Sequence, residues 1–103
     1  MVDHLFIGSQ RKKIANAIDR IIRELGHETA VLPGPWVWTS TTQRWTRSLS
    51  VIPAGSTLAT EREDLTFTEA EIESFDADPE VTSRLLARIL EECERFLTKH
   101  GYF

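Results

Sequence analysis

Two stretches of this chain carry residues whose types and spacing could do chemistry. The first is Gly8-Ser9-Gln10-Arg11-Lys12-Lys13. A helix beginning at Ser9 would crowd Arg11, Lys12 and Lys13 into its first turn, where the helix dipole favours negative charge. A bound anion offsets that conflict, because free backbone N–H groups, a serine hydroxyl and nearby cations together suit a phosphate or carboxylate. The expected anion-binding residues are therefore Ser9, Arg11, Lys12 and Lys13. The plainer reading is a helix start whose lysines only face water, and short motifs of this kind often mislead, so it carries the greater weight.

The second stretch runs from Pro33 to Pro53 and holds all three tryptophans, Trp36, Trp38 and Trp45, together with Arg44 and Arg47. Aromatics interleaved with arginines can anchor a protein partner or stack on bases. Against this stands the ordinary use of tryptophan as core volume in a small domain. Trp45, Leu49 and Val51 share one parity, with Thr46, Ser48 and Ser50 on the other, so an extended chain has one apolar face and one wet face. The expectation is that Trp45 lies in the core and that at least one of Trp36 and Trp38 is partly exposed. Partner binding is assigned to Trp36, Trp38, Arg44 and Arg47.

Other candidates fail on spacing. Asp76, Asp78 and Glu80 alternate like calcium ligands, but Val81 and Ala87 stand where a calcium loop of that kind needs glycine and glutamate. Helix capping accounts for them better. His4, His27 and His100 have no zinc-ligand spacing. The Arg95–His100 interval fits a histidine closing a helix end. Cys93, the one cysteine, sits on an apolar stripe with no neighbour to lower its pKa. No cofactor or metal is indicated, and a binding role is favoured over an enzyme.

The segment HLFIGSQRKKIANAIDRIIRELGHETAVL resembles the opening strand, helix and second strand of TIR-like nucleotide-binding domains. The likeness covers under a third of the chain and fades past Trp38. It implies a parallel α/β start with its site after Gly8, and NAD or another nucleotide as ligand.

These residues need elements to hold them. Leu5-Phe6-Ile7 reads as a short strand. Ile14, Ile18, Ile21, Ile22 and Leu25 then form one helical stripe, capped by Ser9 before it and Gly26 after it. His27–Leu32 reads as a strand that Pro33-Gly34-Pro35 interrupts with a rigid bend. A hairpin turning around Ser40–Gln43 follows, then a region 57–67 whose pattern does not separate strand from loop. Thr68 and Glu71 fit a capping box, with Phe67 and Ile72 as its hydrophobic staple. Asp78 and Pro79 start a last helix whose stripe runs from Val81 to Leu97 and ends at Gly101. On its wet side Glu80–Arg84, Arg88–Glu92 and Glu91–Arg95 are spaced as i,i+4 pairs. The expected class is α+β: two long amphipathic helices on a small, mainly antiparallel sheet, in the order β-α-β-β-β-(β)-short α-α.

Size and charge set the frame. A chain of 103 residues, 41% hydrophobic, supports one core and one domain over 1–103, with a radius of gyration of about 13 Å. No apolar run spans a bilayer, no secretory signal is legible, and a single cysteine points to a cytoplasmic protein. The net charge of −4 hides a split: residues 1–50 have an excess of cations, and nine acids lie between Glu61 and Glu80. That layout argues against general nucleic-acid binding and suits a partner with a charged patch, or self-association. The leading expectation is a small protein-binding module acting through the tryptophan hairpin, of accessory, regulator or inhibitor type. A nucleotide- or phosphate-binding domain using the Gly8-Ser9 helix start is the alternative, and single-stranded nucleic-acid binding a weaker third.

Overall fold

The first strand expected from the sequence is helix. The computed structural model describes residues 4–103. Its elements are α1 (His4–Glu24), a 3-10 turn (Glu28–Ala30), β1 (Val31–Thr39), β2 (Arg44–Val51), β3 (Glu61–Thr68), α2 (Glu69–Ser74) and α3 (Pro79–Lys99). The class is α+β, but the order is α-β-β-β-α-α. Leu5-Phe6-Ile7 belongs to α1 because Ile7 extends the Ile14/Ile18/Ile21 stripe by two turns and is buried with it. Three apolar residues are too few to distinguish strand from helix by periodicity, and the tertiary stripe decides. Ser9 is consequently mid-helix and caps nothing.

The sheet has strand order β1-β2-β3, every neighbour antiparallel, with β2 in the centre. A parallel strand–helix–strand start of the TIR-like kind is therefore not what this chain forms. His27–Leu32 is likewise not one strand: Glu28–Ala30 is a 3-10 turn, and β1 starts at Val31 and continues through both prolines. An edge strand tolerates them because its outer N–H groups are not needed for pairing. In the region left open, 61–67 belongs to β3 and 57–60 to the loop before it.

The Pro33-Gly34-Pro35 segment is a bulge rather than a bend. Pro33 pairs with Leu49 and Trp36 with Arg47, so β1 spends three steps where β2 spends two. The extra residue reverses the parity of everything after it. Val31 faces the helices, and so do Trp36 and Trp38, which in unbroken alternation would face the other way. All three indoles therefore lie on the helix side, in register with the core residues Leu49, Val51, Leu65 and Phe67. The opposite face presents Leu32, Val37, Thr46, Ser48, Ser50 and Thr66.

The helix ends follow local rules. Thr68 and Glu71 form the capping box, with Phe67 and Ile72 both buried beside it. The Asp78 carboxylate accepts from the N–H groups of Glu80 and Val81, at 3.0 and 3.2 Å, with Pro79 in the first turn. Gly26 and Gly101 both adopt positive φ just past their helices. On α3 the wet-side pairing differs from the expected i,i+4 set: Arg88 reaches Glu71 instead, and Arg95 reaches Glu92.

Both long helices run the same way along the sheet. At one end Gln10 of α1 meets the last turn of α2; at the other His27 meets Tyr102 at a ring separation of 4.8 Å. One continuous core joins Ile14, Ile18 and Ile22 of α1, Leu49 and Phe67 of the sheet, and Ile89, Cys93 and Leu97 of α3. The domain measures 47 × 27 × 20 Å, with a radius of gyration of 14.0 Å.

Candidate functional site

The hairpin-tip end of the sheet is where the two sequence candidates meet. Trp38 of β1 pairs across to Trp45 of β2, and Trp45 pairs across to Phe67 of β3. Trp38 and Trp45 pack with ring centres 5.4 Å apart, and Trp36 packs on Phe67 at 5.7 Å. These tilted geometries suit the quadrupoles of aromatic rings. Trp38 is 40% exposed; Trp36 and Trp45 are half-buried against the edge of the core. Trp45 is thus less enclosed than expected, because the core beneath the tip gives way to Arg11.

Arg11 comes from α1 and lays its guanidinium 3.9 Å from the centre of the Trp45 ring. Arg47, two residues along β2, sits 5.9 Å from the centre of Trp36. Stacking of this kind is worth about 0.5–2 kcal/mol according to how dry the pair is. Among the described residues neither arginine has a carboxylate within ion-pairing reach. Arg88, at the same end of the sheet, has partners within the chain: it donates to Glu71 at 2.8 Å and to the Thr66 carbonyl at 3.0 Å. Burial pushes the Glu71 carboxyl up, but the Thr68 N–H and Arg88 together outweigh this and hold it below its ordinary range.

Of the predicted partner-binding residues, Trp36, Trp38 and Arg47 share this face and Arg44 does not. Arg44 pairs with Thr39 and Thr68 and projects to the wet side, since β2 alternates there without a bulge. The predicted anion cluster is dispersed. Ser9 and Lys12 are exposed on α1, and Lys13 faces Asp76 at 3.5 Å. Their backbone N–H groups lie inside α1, so a phosphate cradle at a helix start has no basis here. Arg11 alone of that cluster joins the tryptophans.

Gln10 was not singled out by the sequence reading, yet it is 2% exposed. Its amide nitrogen lies 3.0 Å from the Ile72 carbonyl and 2.5 Å from that of Phe75, closing the C-terminal end of α2. A polar residue on an otherwise apolar stripe, four before Ile14, is the sequence signal that marks it. By fixing α2 against α1, Gln10 also sets the turn from which Arg11 reaches Trp45.

Elsewhere the chemistry is structural. Cys93 is buried, and burial with the nearby Glu92 charge pushes its thiol up to about 12. Among the described residues no group of three or more His, Cys, Asp and Glu could hold a metal ion. No described helix is long and apolar enough to cross a membrane. A shallow groove of about 430 Å³ between α1 and the α2–α3 turn is lined by Lys13, Arg20, Asp76 and Leu86, and is open to solvent. No protein-family model matches the chain, and no curated protein or solved structure is significantly similar to it.

Proposed function

We propose that this chain is a protein-binding module whose contact surface is the tryptophan–arginine end of the sheet. The observation that carries the reading is the half-open Trp38–Trp45 pair flanked by Arg11 and Arg47, two arginines without an acidic partner among the described residues. Tryptophan and arginine are residue types that often dominate binding energy at protein interfaces, and here the fold sets them side by side on one face. Of the acidic run between Glu61 and Glu80, the α2 residues Glu69, Glu71 and Glu73 adjoin the contact and add charge selectivity there, whereas Glu61 and Glu63 stand at the other end of β3.

The test is quantitative capture on the immobilised chain, followed by titration with whichever purified protein is retained. The Trp38→Ala variant should lose that complex, whereas Leu58→Ala, at a still more exposed apolar residue on the β2–β3 loop, should keep it. Light scattering on the free chain reads self-association in the same series. A complex or dimer indifferent to Trp38→Ala overturns the reading, and so does a chain that stays single and retains nothing.

A further inference from the structure

Three side-chain nitrogens among the described residues are buried without a hydrogen-bond partner: Nε of Arg11, Nε1 of Trp45 and Nε of Arg47. All three belong to the same cluster. A buried donor without an acceptor costs a folded chain about as much as a lost hydrogen bond, so native structures hold few of them. Their concentration here is not a general failure to satisfy donors. Gln10, one residue before Arg11, and Arg88, on the same end of the sheet, both donate to acceptors within the chain.

What this cluster lacks is oxygen. Its walls are indole faces, its donors are two positively charged forks and an indole N–H, and no carboxylate of the described residues reaches the arginines. Both arginines are half-buried, so their outer ends stay within reach of a ligand. Planar guanidinium edges match a carboxylate two bonds at a time. A carboxylate carried on a peptide also brings methylene groups and backbone to lie on Trp38, which a small hydrated anion does not. Glu69 and Glu73 of α2 lie at the same end, while Glu71 is already paired with Arg88. That field opposes any anionic chain, but it weighs more on a strand charged at every nucleotide than on a peptide that seats one carboxylate between the arginines.

Resting on the reading of this end as a protein-contact surface, we infer that its partner presents an acidic segment. One Asp or Glu side chain of that segment accepts hydrogen bonds from Arg11 and Arg47, and its neighbours pack on Trp38.

The experiment follows the three indole N–H resonances of the full chain by nitrogen-edited NMR. The probes are a short peptide alternating Glu and Ala, the same peptide with Gln for Glu, inorganic phosphate, and single-stranded oligothymidylate. The Glu peptide should move the Trp45 and Trp38 resonances and the Gln peptide should not. Arg11→Gln and Arg47→Gln should each weaken the response roughly ten- to hundredfold, the span of a charge-assisted hydrogen bond, with spectral dispersion retained. Arg47→Lys keeps the charge without the fork and should fall between. Equal response to the Gln peptide, or none to the Glu peptide, overturns the inference. Movement of Trp45 by phosphate or oligothymidylate alone replaces it with a phosphate ligand. A silent Glu peptide beside Trp38-dependent capture removes the acidic segment and leaves the contact surface standing; capture indifferent to Trp38→Ala removes the surface itself.

Discussion

Gly34 passes so close to β2 that a Cβ placed on it would stand 2.8 Å from the carbonyl oxygen of Ser48. That distance is shorter than any carbon–oxygen contact a side chain can keep, and the obstacle is backbone, which cannot swing aside. The bulge at Pro33–Trp36 therefore depends on a residue without a side chain, and the placement of Trp36 and Trp38 on the helix face depends on the bulge. Gly34→Ala should destabilise the fold by about 1–3 kcal/mol, the usual cost of forcing extra carbon into a closed space. Urea unfolding followed by tryptophan fluorescence measures it, with a red-shifted native spectrum as the second readout if the indoles lose their packing. An unchanged midpoint and spectrum would mean the bulge is not held by this contact.

Gln10 should be intolerant of change for a different reason. It is the buried donor that serves the carbonyls of Ile72 and Phe75, more than sixty residues away in sequence. Gln10→Met keeps the shape but removes the amide donor from both carbonyls, of which that of Ile72 keeps only the longer bond from the Phe75 N–H, so a loss of about 1–3 kcal/mol is expected. Amide exchange should quicken across α2 and at Arg11 before it does in α3. A variant as stable as the parent would show that water replaces the amide without penalty.

What could be read from the sequence and what could not divides along physical lines. The capping box at Thr68–Glu71, the Asp78–Pro79 start and the glycines at 26 and 101 were legible because each rests on a few adjacent residues. So was the alternation of Trp45, Leu49 and Val51, which β2 keeps without interruption. The start of α1 was not, since Leu5-Phe6-Ile7 fits either element until Ile7 is known to share the core. The faces of β1 were not, because one extra residue inverts them and nothing local reveals that Pro33-Gly34-Pro35 bulges instead of turning. The site was half legible. Trp36, Trp38 and Arg47 come from one hairpin, but Arg11 joins them only through the packing of α1, whose start local sequence does not reveal.

Cys93 makes the state of the core measurable. With its thiol pushed up to about 12 and its side chain enclosed by both long helices, the reactive thiolate is essentially absent at neutral pH. A thiol reagent should modify the native chain only as fast as the core opens. The labelling rate should then follow the unfolding equilibrium as urea is added, in step with tryptophan fluorescence. Fast labelling without urea would mean that the α1–α3 contact opens separately from the sheet.

At the end of the domain opposite the tryptophans, the Glu63 carboxylate accepts from His100 at 2.7 Å and from Lys99 at 3.1 Å, while the Ala54 N–H donates to the His100 carbonyl at 2.9 Å. Burial of Glu63 raises its pKa, but the two hydrogen bonds and the two positive charges outweigh it and leave the pKa below the ordinary 4.5. A carboxyl depressed by folding stabilises the native state above its unfolded pKa, and that contribution is lost as pH falls through the folded value. The Lys99 side chain is largely exposed, so His100 is the partner that matters. Glu63→Gln should cost about 1–2 kcal/mol at neutral pH, within the span of a charge-assisted hydrogen bond. The gap to the parent should close as pH drops below about 4.5, where the unfolded carboxyl protonates and then the folded one. Some acid sensitivity should persist in the variant, because Glu71 is depressed in the same direction by Thr68 and Arg88. Urea midpoints of both chains across that range decide the matter: a gap that stays constant through acid would show that Glu63 is held by shape and not by its charge.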